Sequence, residues 1–190
     1  MSTTMQTGNR FFDFANPESH DYCLIEIATA LSKHCRYNGH CNGFYSVAQH
    51  SVYVCANVPD PYKFQALMHD AAEAYTGDIV TPLKQMLTDF KKIEHRIEQA
   101  IYKYYDLPEQ LDPCIKEADT RMLLTEKRDI MPEIEEPGEW KYYTDNFEPY
   151  PDISIIKQWD HEIAKEAFLD CLVLCAPTHI ANDLTTKRSA

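Results

Sequence analysis

The stretch Ala66–Lys84, ALMHDAAEAYTGDIVTPLK, concentrates groups able to do chemistry. His69 and Asp70 are adjacent, Glu73 stands four residues after His69, and Asp78 stands eight after Asp70. On a continuous helix His69 and Glu73 share a face, and Asp78 falls just past the helix end beside Gly77. Three carboxylates and an imidazole beside Ala66, Leu67 and Met68 are costly to hold near a core unless something positive compensates. A divalent cation does so, and mixed imidazole and carboxylate ligation suits zinc, manganese, cobalt or iron. A solvated acidic helix face carrying one histidine is the competing reading.

Two distant residues shift that balance. His50 lies in SVAQHSVYV, where Val47, Val54 and the alanines mark an apolar side. Asp119 lies in KEADTRMLL, beside Ala118 and ahead of Met122. Alone, His50 reads as a satisfied core histidine and Asp119 as a partner for Arg121. Together with His69 and Asp70 they supply two imidazoles and two carboxylates from three helices. That set makes a metal site with positions left for water and substrate.

The elements that must carry these residues read as helices. Asp21–Lys33 places Leu24, Ile27, Ala28 and Leu31 at helical spacing, with Asn16-Pro17-Glu18 as cap and first turn. Cys35–Tyr45 is irregular. Further helices are expected over Ser46–Ala56, from about Tyr62 through Thr76, from Thr81 over a short run, over Phe90–Tyr105 and over Asp112–Asp129. Pro113 suits the first helical position of the last of these. Met131–Pro151, with four prolines and many aromatics, reads as an ordered excursion whose Trp140, Tyr142, Tyr143, Phe147 and Tyr150 want burial. A final helix is expected over Ile153–Cys175. Alternating strand patterns of useful length are missing, so the expected fold is all-α, a single compact multi-helix bundle spanning 1–190.

Composition narrows the function classes. The chain has 190 residues, 18 basic and 30 acidic, for a net charge of −12. That sign disfavours nucleic-acid polymers and anionic membranes. Five glycines and no phosphate-loop string remove the common nucleotide-binding loops. Seven scattered cysteines without a CxxC pair argue against a disulfide framework and fit a reducing cytoplasm. Cys171 and Cys175 read as core packing. The polar start MSTTMQTGNR lacks the apolar region of a signal peptide, and no window approaches the length of a membrane span. His20, His34, His95, His161 and His179 belong to no constellation and read as surface or capping residues.

Ordered as His50, His69-Asp70 and Asp119, the set resembles the metal-binding signature of the HD-domain phosphohydrolase superfamily. HDAAEAYTGDIVTPLK is similar to the pattern of its bacterial 5′-deoxynucleotidase branch. RYNGH, FYSVAQHS and EADTRMLLTEKRD further resemble a phage and bacterial subgroup that includes phage dATP triphosphohydrolases. The resemblance covers roughly residues 11–131.

It implies His50, His69, Asp70 and Asp119 as ligands of a divalent ion (zinc, cobalt, manganese or magnesium), with more than one ion allowed. It implies Glu73 and Asp78 as the carboxylates handling water and proton transfer. Arg36 and Tyr37 then match an arginine–aromatic pair near phosphate and sugar, and Lys84 a phosphate-facing lysine at a helix start. Arg36 offers a bidentate fork, and Tyr37 is bulky enough to exclude a 2′-hydroxyl. The implied activity is hydrolysis of dATP to deoxyadenosine and triphosphate, with a 5′-deoxynucleotidase acting on a dNMP as the same-branch alternative. A nucleotide-binding module without catalysis is the alternative of another class, and Glu73 with Asp78 argue against it. By analogy the resemblance also implies a homo-oligomer, dimer or hexamer, in the cytoplasm, or the host cytoplasm for a phage-encoded chain.

Overall fold

The computed structural model describes residues 2–135, 138, 140–155 and 157–188. A hairpin comes first: β1 (Thr4–Thr7) pairs antiparallel with β2 (Arg10–Asp13). Sequence patterning missed it, because each strand has only four residues and too few alternations to register. Phe12 is the fully buried residue that fastens the hairpin to the body. The remaining elements are helical, and the fold is mostly α as expected.

The first helix, α1 (Leu24–Lys33), begins three residues later than the pattern suggests. Pro17–Ser19 forms a separate 3-10 turn, and Cys23 flanks the helix in extended conformation. The second, α2 (Val47–Ala56), begins where Ser46 can cap it, its hydroxyl accepting the Gln49 N–H at 3.1 Å. The run expected as one helix from Tyr62 to Thr76 divides into α3 (Lys63–Leu67) and α4 (Glu73–Thr76). Then follow α5 (Thr81–Met86), α6 (Thr88–Tyr104) and α7 (Pro113–Ile130). Asp112 caps α7 by accepting the Cys114 N–H at 2.9 Å, with Pro113 in the first turn as anticipated.

The excursion contains a short helix, α8 (Trp140–Asn146). Its aromatics are not buried as expected: Tyr142 is 66% exposed, and Trp140, Tyr143, Phe147 and Tyr150 are half-buried. The reason is local, since Trp140 packs on Tyr143 and faces the Lys127 ammonium, while Tyr150 faces Arg121 and packs against the edge of the core. Glu136, Pro137 and Glu139 of this segment, and Ile156 of the expected last helix, lie outside the described residues. That helix is shorter than read: α9 (His161–Cys175) starts where Asp160 caps it through the Ile163 N–H. Ala176-Pro177 then separates it from a further helix, α10 (Thr178–Arg188), whose mixed polar sequence gave no clear apolar stripe.

The helices α1, α2 and α3 all pack against α9, and α7 lies against α2. Ile27, Leu31, Val47, Val54, Leu67, Met68, Met122, Phe168 and Leu172 are fully buried where these helices meet. The seven cysteines are all free, as expected, and Cys171 and Cys175, half-buried, pack against the core. His20 departs from its surface reading. It is buried in a ring cluster with Phe12, Tyr22 and Tyr75, at 5.0–5.8 Å between centroids. No helix among the described residues is long and apolar enough to cross a membrane.

Candidate active site

The break between α3 and α4 falls on the His-Asp pair. The His69 Nδ1–H donates to the Ala66 carbonyl at 2.8 Å, the acceptor that a continuing α-helix would use for the Asp70 N–H. From Met68 onward the chain closes with tighter i→i+3 bonds. The Ala71 N–H reaches the Met68 carbonyl and the Glu73 N–H the Asp70 carbonyl, both at 3.0 Å. His69 and Glu73 therefore do not share the face of one helix, which corrects the sequence reading. A carbonyl can only accept, so Nδ1 carries the proton and the Nε2 lone pair is left for another partner.

His50 is prepared in the same way from the other side. Its ring is fully buried on α2, and Nδ1 lies 2.5 Å from Glu126 Oε1 on α7. Its Nε2 is 3.2 Å from Asp119 Oδ1 and 3.8 Å from Asp70 Oδ2. The His69 Nε2 is 3.2 Å from Asp70 Oδ2 and 4.0 Å from Asp119 Oδ1. Both Nε2 atoms are buried without a hydrogen-bond partner. Donor atoms of His50, His69 and Asp119 lie within 4.8 Å of one another. Ligands held about 2.1 Å from one ion sit on the order of 3.0–3.4 Å apart, so two orphaned imidazole nitrogens facing two carboxylates fit a divalent cation. Asp119 does not pair with Arg121, the bland expectation. Its Oδ2 accepts from Lys116 at 2.8 Å, while Arg121 turns to the Glu148 carbonyl.

The electrostatics express the crowding. Burial opposes ionisation of Asp70, yet His69 and His50 outweigh it and hold its carboxyl below the usual range. Asp119 is likewise held well below, burial being outweighed by His50, His69 and Lys116. Burial and Arg36 push His50 down, but Glu126 and Asp119 prevail and raise it to about 9. Two carboxyls shift the other way. Burial, then Asp70 and Asp78, hold Glu73 well above the usual range, and burial does most to raise Asp78. Glu73 is 7% exposed, and its Oε2 has no hydrogen-bond partner. Asp78 follows Gly77, whose φ of +79° ends α4 and turns the chain.

The cations are near but already engaged. Arg36 is buried; its Nε donates to Glu126 Oε2 at 3.1 Å and its Nη1 is 3.8 Å from Asp70 Oδ2. The Tyr37 hydroxyl donates to the same Glu126 oxygen at 2.5 Å. Lys84 is not at a helix start, as expected, but in the last turn of α5. It bonds Glu94 at 2.8 Å and lies 3.8 Å from Glu73. Lys116, beside Asp119, and Glu126, beneath His50, were not picked out from the sequence. Helical spacing could have found Glu126, seven residues after Asp119 and on the same face of α7. His34, set aside earlier, ends α1 half-buried and close enough to Asp78 to feel its charge.

Residues 44–134 match the model of the 5′-deoxynucleotidase YfbR-like family, one of HD-type phosphohydrolases. Every expected ligand, Glu73, Asp78 and Lys84 fall inside that match; Arg36 and Tyr37 lie outside it. The uncharacterized protein YfdR of Escherichia coli K12 is 45% identical over 120 residues, covering 63% of this chain and 66% of its own length. An uncharacterized protein of Rhodobacter capsulatus is 33% identical over 124 residues, 60% of this chain and 63% of its own length. The chain thus spans just under two thirds of each curated relative. The family match supports the 5′-deoxynucleotidase branch and adds nothing to the narrower likeness to phage dATP triphosphohydrolases.

Proposed function

We propose that the chain is a divalent-metal-dependent phosphohydrolase that cleaves the bond between phosphorus and the 5′-oxygen of a deoxynucleotide. The convergence of two buried, unpartnered imidazole nitrogens on Asp70 and Asp119 carries this reading. His50, His69, Asp70 and Asp119 would hold the ion. When bound, such an ion supplies a water that loses its proton more easily and neutralises charge at the phosphoryl group.

The chain's own groups complete the reaction. Glu73, with a buried oxygen that has no hydrogen-bond partner, takes the proton of the attacking water. The new oxygen–phosphorus bond forms as the bond to the 5′-oxygen breaks. Asp78, its carboxyl raised by burial, returns a proton to that departing oxygen. Arg36 orients a phosphate oxygen, and Tyr37 covers the sugar where a 2′-hydroxyl would project.

The family match favours a monophosphate substrate, the 5′-deoxynucleotidase reaction. The triphosphohydrolase reading, with dATP giving deoxyadenosine and triphosphate, draws on a specific observation. Arg36, Lys84 and Lys116 stand around the carboxylate cluster, three cations that a chain of phosphates would draw on in place of their present carboxylate partners. Turnover of a dNMP and dNTP panel with manganese, cobalt, zinc and magnesium, products separated by chromatography, decides between them. Orthophosphate from dNMP alone establishes the first reaction, and intact triphosphate from dATP the second. Tight nucleotide binding without hydrolysis under every metal would sink both.

A further inference from the structure

We propose that Glu126 is a positioning residue that locks the metal-ligand cluster and the nucleotide-contacting loop into one geometry, an inference resting on the site reading above. Its side chain is fully buried, and a carboxylate withdrawn from water persists only where donors replace its hydration. Three donors do so from two separate segments. His50 Nδ1 faces Oε1 at 2.5 Å, while Arg36 Nε and the Tyr37 hydroxyl converge on Oε2 at 3.1 and 2.5 Å.

Each bond sets a different working group. An ionised carboxylate only accepts, so it forces the proton of His50 onto Nδ1 and leaves Nε2 open toward Asp119. The bond to Nε fixes the plane of the Arg36 guanidinium, whose Nη1 faces Asp70. Tyr37 and Asn38 adopt φ of +57° and +51°, a left-handed backbone rarely adopted by side-chain-bearing residues, and the anchored hydroxyl holds the ring there. The shared oxygen makes ligand and loop interdependent: a change that displaces Tyr37 or Arg36 moves the carboxylate beneath His50. Glu126 stands two turns along α7 from Asp119, so one rigid helix supplies a ligand and the group that orients another.

A merely structural buried ion pair would affect stability alone, so the test reads metal affinity and sugar preference. Full-length protein, dialysed against chelator, is titrated with cobalt(II) alone, following visible absorption in competition with a chromophoric chelator. Glu126→Gln can offer its amide N–H to Nδ1 and so turn the His50 proton onto Nε2. It is expected to bind cobalt about 10–100-fold more weakly than wild type, with an altered visible spectrum. Glu126→Asp keeps the charge and should recover part of that loss. Tyr37→Phe removes one donor from the shared carboxylate and should weaken cobalt binding by less than Glu126→Gln does, while raising KM for the deoxynucleotide and narrowing its kcat/KM advantage over the ribonucleotide. Far-UV circular dichroism confirms folding, and the aspartate and phenylalanine variants keep the test open if the glutamine variant does not fold. Wild-type cobalt affinity and spectrum in both Glu126 variants overturn the proposal, as does unchanged sugar preference in Tyr37→Phe. Wild type that takes up no cobalt overturns the underlying site reading as well.

Discussion

Glu73 and the histidines occupy one pocket of charge, yet substitution should separate their roles. Glu73→Gln removes a proton acceptor without removing a donor atom of the His50–His69–Asp119 group. Stoichiometric metal should therefore remain, with turnover falling about 10²–10⁴-fold. Loss of the metal along with activity would make Glu73 a ligand instead. His50→Ala removes the nitrogen that faces Asp119, so elemental analysis of dialysed protein should find far less metal than in wild type. Retention of full stoichiometry would rule His50 out as a ligand. These residues were legible because imidazoles and carboxylates in apolar helical segments demand an explanation. Glu126 was passed over: in TEKRD it stands among other charged residues, and although its spacing from Asp119 puts it on the ligand's face of α7, its complete burial is seen only in the packing. Lys84 was legible as a cation near the site, but its partner Glu94 sits ten residues on, beyond the reach of any motif.

At the scale of elements, helix positions followed the apolar period well, and the departures have local causes. The helix expected through Thr76 breaks because the His69 side chain takes a carbonyl from the backbone ladder, a competition that propensity does not register. The hairpin escaped because short strands carry too little pattern, and the entrance to α9 because part of the chain ahead of it is held from outside. That lead-in depends on Arg128 and Asp129 of α7. Arg128 donates to the Tyr150 and Ile153 carbonyls at 3.0 and 2.5 Å, and Asp129 Oδ2 accepts the Ile155 N–H at 2.7 Å.

Arg128 does most to hold the Asp129 carboxyl below its ordinary value, with the Ile155 N–H contributing against burial. A depressed folded value means that the contribution is complete above the unfolded value of about 3.9 and is lost as pH falls through the folded one. Hydrogen exchange at Ile155 should keep its protection down to about pH 4 and lose it below. Asp129→Ala should lose about 1 kcal/mol of that protection at neutral pH. Protection independent of both pH and the substitution would show that the strap is held elsewhere. Gly77→Ala tests the other turn. No atom lies within 4 Å of an added Cβ, so the penalty is that of the backbone alone, whose φ of +79° and ψ of 158° lie in a region left almost entirely to glycine, about 1–3 kcal/mol of stability. Because Asp78 follows directly, activity should fall more than stability accounts for; equal stability in the alanine variant would refute the strain argument.

For the whole molecule, the net charge of −12 gains a definite location. Asp70, Glu73, Asp78, Asp119 and Glu126 are all held at or near one buried centre, where Arg36 is the cation with least exposure to solvent. Such a centre repels an anionic substrate and strains the folded state unless additional positive charge enters, and two imidazole nitrogens without partners mark where it enters. An ion that binds the folded chain and not the unfolded one stabilises it by RT ln(1 + [L]/Kd), about 2.7 kcal/mol at one hundred times Kd. In a chain of this size each kcal/mol moves the thermal midpoint by about 2–4 °C, so saturating metal should raise it by roughly 5–11 °C. The rise should follow a saturation curve, reverse with chelator and be much reduced in His50→Ala. Magnesium, which prefers all-oxygen ligation, should act more weakly than cobalt, zinc or manganese at this imidazole-rich centre. A midpoint indifferent to every divalent ion would mean that the acidic centre is satisfied by its own lysines and arginine, and the metal site would fall with it.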